Sequence, residues 1–194
     1  GPRPPRPPPP QPQPPPRAPG PPAAGGGIWG VWHATTDLSI NLPIGDYQEG
    51  RATNLAFNRW GFDLTGSVTY LNLDNGREAS LAVGFTTHLE NDDTNYSSGN
   101  EFHLEWGLSQ SLPFGLSIGL AGYHYHQIED DSGPGAPNGG FEGRVTALGP
   151  ALTYTFQAGQ TPITLKARYY REFNTKNRLR GDVGFVGVVV PLGL

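Results

Sequence analysis

The chain has 194 residues and no cysteine or methionine. Without cysteine there is no disulfide framework and no thiolate metal site, and either a periplasm-facing or a cytosolic setting stays open. Charge is scarce at 15%, and hydrophobic residues reach only 36%. Both shares are low for a water-soluble domain with an aliphatic interior. No segment approaches the roughly 18 to 20 uninterrupted apolar residues of a membrane helix, and no basic-then-apolar leader is visible at the start. With Gly1 first and no methionine, the expectation is a processed or truncated product whose signal lies outside this chain.

Glycine and proline are abundant, at 28 and 21 residues. Residues 1–27, GPRPPRPPPPQPQPPPRAPGPPAAGGG, hold 14 of the prolines and offer only alanine as an apolar side chain. They cannot build a core and are expected to form an extended or disordered arm. A spacer or a ligand for a proline-binding domain is the functional alternative to plain low-complexity sequence. Net charge is −4 overall, and without Arg3, Arg6 and Arg17 of this arm it is −7. A surface of that sign argues against nucleic-acid binding.

From Ile28 the pattern changes to strict alternation, and residues 28–194 read as one β domain. Eight strands are expected: 31–43, 58–72, 77–89, 101–112, 115–128, 144–157, 162–173 and 181–193. EFHLEWGL at 101–108 is typical, with Glu101, His103 and Glu105 on one face and Phe102, Leu104 and Trp106 on the other. Tight connections at 73–76, 112–115 and 158–161 alternate with longer polar ones at 44–57, 90–100, 129–143 and 174–180. That alternation, strands of about 12 residues and aromatics expected at strand ends (Trp60, Tyr70, Trp106, Phe114, Phe156, Phe173) fit an antiparallel outer-membrane meander barrel. Small residues on the polar face (Gly61, Ser67, Ala82, Gly84, Gly107, Gly119, Ala121, Gly149) are expected to leave room in a lumen. A soluble lipocalin-like barrel, with the aromatic face inside, is the competing architecture.

Several blocks carry a family resemblance: Gly45-Asp46-Tyr47, Tyr70-Leu71-Asn72, YSSGNEFH at 96–103, GYHYHQ at 122–127, Gly143-Arg144-Val145 with Leu148-Gly149-Pro150, and REFNTKNRLRGD at 171–182. Over residues 28–194 they resemble the outer-membrane family associated with the meta pathway of phenol degradation. The resemblance implies a barrel passing small hydrophobic compounds, aromatic ones included. It also implies membrane lipid and lipopolysaccharide, the barrel-assembly machinery and a hydrophobic solute as partners. Family members usually carry a signal peptide and further strands before the GDY block, so the eight strands are expected to be part of a larger barrel. The end GFVGVVVPLGL lacks the terminal aromatic common in such barrels, though Val186, Val188, Val190, Leu192 and Leu194 alternate outward.

The expected lumen residues are Asp63, His88, Glu101, His103, Glu105, Tyr123, Tyr125, Lys166, Arg168, Tyr170 and Glu172. They would set pore size and field, with charges pairing among themselves and with Lys166 and Arg168. Ser109 or Ser111 with His103 and Glu105 is the hydrolytic alternative, but no GxSxG or HExxH motif supports it. No enzymatic activity and no cofactor are expected. His124 and His126 have the i, i+2 spacing of strand metal ligands. However, they continue the outward face of Leu116, Ile118 and Leu120, so interface residues are expected rather than a metal site. Asp92, Asp93, Glu129, Asp130 and Asp131 in two loops are read as solvated, with Ca²⁺ or lipopolysaccharide bridging as the alternative. A structural or ligand-binding barrel without transport, and a translocator behind a flexible arm, are the other functional classes. The second lacks a pore-threading helix, because residues 1–27 are too rich in proline.

Overall fold

A computed structural model describes residues 30–51, 54–134, 136 and 140–191. The proline-rich arm, Leu192 and Leu194 therefore lie outside the described residues. Eight strands follow in chain order: β1 (Val31–Asn41), β2 (Gly61–Asn72), β3 (Arg77–His88), β4 (Glu101–Ser111), β5 (Leu116–Gln127), β6 (Arg144–Ala158), β7 (Thr161–Lys176) and β8 (Asp182–Val189). They form one sheet in the order β1-β2-β3-β4-β5-β6-β7-β8, every neighbouring pair antiparallel. The fold is all-β, a single meander. The sheet is open: among the described residues β1 and β8 each have one strand neighbour. No α-helix occurs among the described residues, so no helix is long and apolar enough to cross a membrane.

Alternation explains why these segments are strands and how they face. Because side chains on one strand point to opposite sides with period two, the register aligns whole rows across the sheet. One apolar row runs Leu38, Leu64, Phe85, Phe102 and His126; the next residue row toward the interior of the strands carries Val83, Leu104 and His124 on the same face. This apolar face is the open one: Trp32 is 70% exposed, Leu64 56% and Val186 86%. On the polar face Tyr170 is 1% exposed, Tyr125 6% and Gln127 7%. The polar face is thus the inner one, and every small residue expected there lies on it. His124 and His126 sit on the outer face as expected, with ring centroids 6.1 Å apart and His124 Nδ1 2.8 Å from Thr146 Oγ1.

Aromatic pairs mark both ends of the outer face. Trp60 stacks with Phe62 at 6.3 Å near one end, while Trp32 meets Tyr70 at 4.9 Å and Tyr154 meets Phe156 at 5.8 Å near the other. Trp106 departs from expectation. It lies at the middle of β4 and covers Gly122 on β5, where a β-carbon would come within 2.7 Å of its ring.

The connections sort to two ends. At the turn end are 73–76, 112–115 with a 3-10 turn (Pro113–Gly115), and the two residues between β6 and β7. At the loop end are 42–60, 89–100 and 128–143. The last loop is shorter than expected, only 177–181, because β7 runs on to Lys176. An irregular register between Arg144 and Thr146 absorbs the extension.

Candidate functional site

The inner face near the loop end is built around Asp63. Asp63 on β2 and His103 on β4 are not neighbours in the sheet; β3 lies between them, and Gly84 is the β3 residue paired with His103. His103 Nε2 nevertheless lies 2.7 Å from Asp63 Oδ2. Gly84 is what permits it, since a β-carbon there would sit 2.1 Å from His103 Cε1 and 2.5 Å from Thr65 Oγ1. Thr65 Oγ1 donates to Asp63 Oδ1 at 2.8 Å and Thr86 Oγ1 to Oδ2 at 2.6 Å. An ionised carboxylate can only accept, so the hydrogen in the third bond belongs to His103 Nε2. The expectation that Gly84 leaves lumen space is therefore corrected: its space is filled by the His103 ring.

The neighbouring expected residues form separate small groups. His88 Nε2 lies 3.5 Å from Glu101 Oε1, Tyr123 Oη donates to Glu172 Oε1 at 2.6 Å, and Gly181 N donates to Glu172 Oε2 at 2.9 Å. Tyr123 meets the edge of Tyr170 at 5.2 Å, and Tyr170 meets Phe185 at 6.1 Å. The Arg178 guanidinium stands 4.1 Å over Tyr125, close enough for cation–π attraction. Lys166 and Arg168 do not behave as expected. Among the described residues no ion pair includes either one; Asp63, Glu101 and Glu172 are taken by histidine, tyrosine and backbone instead, and Glu105 feels Arg168 without meeting it.

The hydrolytic alternative is not assembled. Ser109 is six residues from His103 on the same strand, about 20 Å away at 3.3 Å per residue, and His103 Nε2 is occupied by Asp63. Among the described residues no group of three or more His, Cys, Asp or Glu side chains is placed to hold a metal ion.

Beyond the strands, three loops close over this end. Asp131, expected to be solvated, is the acceptor that joins two of them, 89–100 and 128–143. Its Oδ1 takes hydrogen bonds from Gln127 Nε2 at 2.7 Å and Gly99 N at 3.0 Å, and its Oδ2 takes a short one from Tyr96 Oη. Backbone bonds join Ser97 to Ser132 in both directions and Ile128 N to Asn100 O at 2.8 Å. Asn91, 5% exposed, donates through Nδ2 to Phe57 O at 3.0 Å. Arg59 lies 5.8 Å over Tyr96 and 5.1 Å over Phe57. Burial lowers its pKa, opposed by Tyr96, Glu101 and Asp131. Burial and the bond to Asp131 push the Tyr96 phenol up to about 12. At the rim, the bond from Lys176 Nζ at 2.6 Å holds the Glu142 carboxyl below its ordinary range.

Arg59, Asn91, Gln127, Asp131 and Arg178 are absent from the residues expected at the site. All but Gln127 belong to loops, where period-two alternation carries no information about direction. The inward parity of Gln127 on β5 was the one usable signal.

A family model described as "Putative MetA-pathway of phenol degradation" matches residues 20–186. The match starts eight residues before, and ends eight residues short of, the span over which the sequence blocks carry the resemblance. No curated protein and no solved structure matches the chain.

Proposed function

The chain belongs to the family described as "Putative MetA-pathway of phenol degradation", and from this membership we propose that it forms wall strands of an outer-membrane β-barrel that passes small hydrophobic compounds, aromatic ones included, without covalent chemistry. The observation carrying this reading is the inverted burial: on β1 to β7 the aliphatic and aromatic face is exposed while the face that carries the charged and hydroxyl-bearing side chains is inner. In water that arrangement is costly, since exposing apolar area forfeits about 25 cal/mol per Å². In lipid it is the stable one, with an apolar band between aromatic girdles and a polar interior. A strand of 12 residues such as β2 is about 40 Å long, which at a tilt of about 45° spans the hydrocarbon layer. Open sheet edges do not occur in hydrocarbon, so the reading also requires partner strands along β1 and β8, as in a larger barrel. Lipid, lipopolysaccharide and the barrel-assembly machinery are the partners this placement entails.

A second reading, a ligand-binding barrel without passage, is favoured by the interlocked loops over one end, where Asn91 and Gln127 are buried. One experiment separates the two. The full chain is reconstituted in liposomes and the efflux of a trapped neutral aromatic such as phenol is compared with that from liposomes holding an unrelated filled barrel. Faster efflux is expected; equal efflux, with β structure retained, sinks transport and leaves binding.

A further inference from the structure

Toward the turn end, away from the Asp63 group, the inner face holds a cleft of ≈ 530 Å³. Its walls include Ala82, Gly107, Ala121 and Ala151, with Arg168 and Lys166 entering from β7. Arg168 and Lys166 are two residues apart on one strand, so their side chains leave the same face about 7 Å from each other. Two acids, Glu78 and Glu105, also line the cleft. Glu78 lies in the same register row as Arg168 but four strands away, through Ser109, Gly119 and Ala151, about 19 Å along the sheet at 4.8 Å per strand. Glu105 belongs to another row, that of Tyr123, Ala147 and Glu172. Neither acid forms an ion pair with the two cations. Glu105 and Arg168 feel each other's charge across the cleft, but among the described residues neither the guanidinium nor the ammonium is held in an ion pair.

The rest of the inner-face lining is small and hydroxyl-bearing, with Ser80, Ser109 and Thr153 beside the alanines. Tyr170 forms part of the wall, backed by the Phe185 ring at 6.1 Å. Gly107 has an ordinary φ, and a β-carbon built there would find no atom nearer than Leu120 O at 4.0 Å. Neither backbone conformation nor packing asks for glycine at this place, which distinguishes it from Gly84. Glycine inside a strand costs stability; what it supplies here is open volume in front of the cations.

We propose that this cleft binds small aromatic carboxylates, the carboxylate taken by the fork of Arg168 and by Lys166 and the ring lying in the open volume over Gly107. The proposal rests on the polar face being the water-accessible one, as in the reading above, but it concerns binding and not passage.

The test uses the full chain in detergent micelles, with binding of benzoate followed by calorimetry beside two partial mimics: benzyl alcohol, which keeps the ring, and acetate, which keeps the charge. Benzoate is expected to bind at least about tenfold tighter than either, as one charge-assisted bidentate contact allows. R168Q and K166Q should each weaken benzoate several-fold and leave benzyl alcohol unchanged. G107F should abolish binding of both aromatic probes while β structure and heat-modifiable migration are kept. Benzoate no tighter than benzyl alcohol, or unaffected by both charge removals, overturns the proposal. Liposome efflux keeps the two readings apart: benzoate bound but no solute passed supports this site and sinks transport. Phenol passed with no preference for benzoate in binding keeps transport and sinks this site.

Discussion

Asp63 and His103 stand on strands that are not neighbours, yet their side chains meet at 2.7 Å over the bare backbone of Gly84. The intervening strand contributes to this group by lacking a side chain. Gly84→Ala is therefore expected to displace His103 and cost about 1–2 kcal/mol, the worth of a hydrogen bond to a charged acceptor that stays partly wet. Gly107→Ala, whose new methyl meets open space, should be neutral or stabilising by about 0.5 kcal/mol. Urea unfolding of both variants, with an Asp63→Asn and His103→Gln double-mutant cycle, measures the coupling. Equal effects of the two alanines would refute the role assigned to Gly84.

Asp131 ties loop 89–100 to loop 128–143 through Gln127, Gly99 and Tyr96. Asp131→Ala removes the shared acceptor and leaves these donors unanswered. Limited proteolysis is expected to cut both loops severalfold faster while the strands stay protected. Faster cutting confined to residues 128–143 would mean that the loops are held independently.

Tyr96 provides a pH signature for the same hub. Its phenol is raised from 10.0 to about 12, first by burial and then by its bond to Asp131. A raised folded-state value means that the protonated form is favoured in the folded protein. The stabilisation is thus complete below pH 10.0 and is lost as pH rises through about 12. The difference in phenolate absorbance between wild type and Tyr96→Phe should contain a step near pH 12. A step at the ordinary tyrosine value would show a loop hub that does not form in solution.

Val83 lies mid-strand on the exposed apolar face. Val83→Arg is expected to lower stability in detergent or lipid by about 2–4 kcal/mol, the cost of a charge facing the bilayer midplane. The same change on a water-facing surface would be close to neutral. Refolding yield into lipid vesicles, read by heat-modifiable migration, distinguishes the two outcomes.

Much of this organisation was legible in the residues. Period-two alternation placed all eight strands within a few residues of their observed limits, because β1 to β7 each have one apolar and one polar face and β8 intersperses glycine with valine and phenylalanine. Faces assigned by parity held across β1 to β8, from His33 and Asp63 to Lys166 and Glu172. The errors fall where alternation stops informing. β7 continues through Asn174 to Lys176 because backbone pairing with β6 and a register irregularity carry it past the polar residues. Trp106 was placed at a strand end from its kind, whereas its position in β4 is central.

The sequence by itself determined the strand count, the antiparallel succession and the sorting of side chains to two faces, since these depend on the local period and on turn residues. Only the tertiary structure decided which polar groups meet. Asp63 and His103 are 40 residues apart and are joined by registers set across two interfaces. Asp131 reaches Tyr96 because separate loops fold over the same strand ends. Arg168 feels Glu105 across the cleft without meeting it, and the register puts Glu78 four strands away. Such pairings depend on how strands stack sideways, a quantity that no single stretch of alternating residues contains.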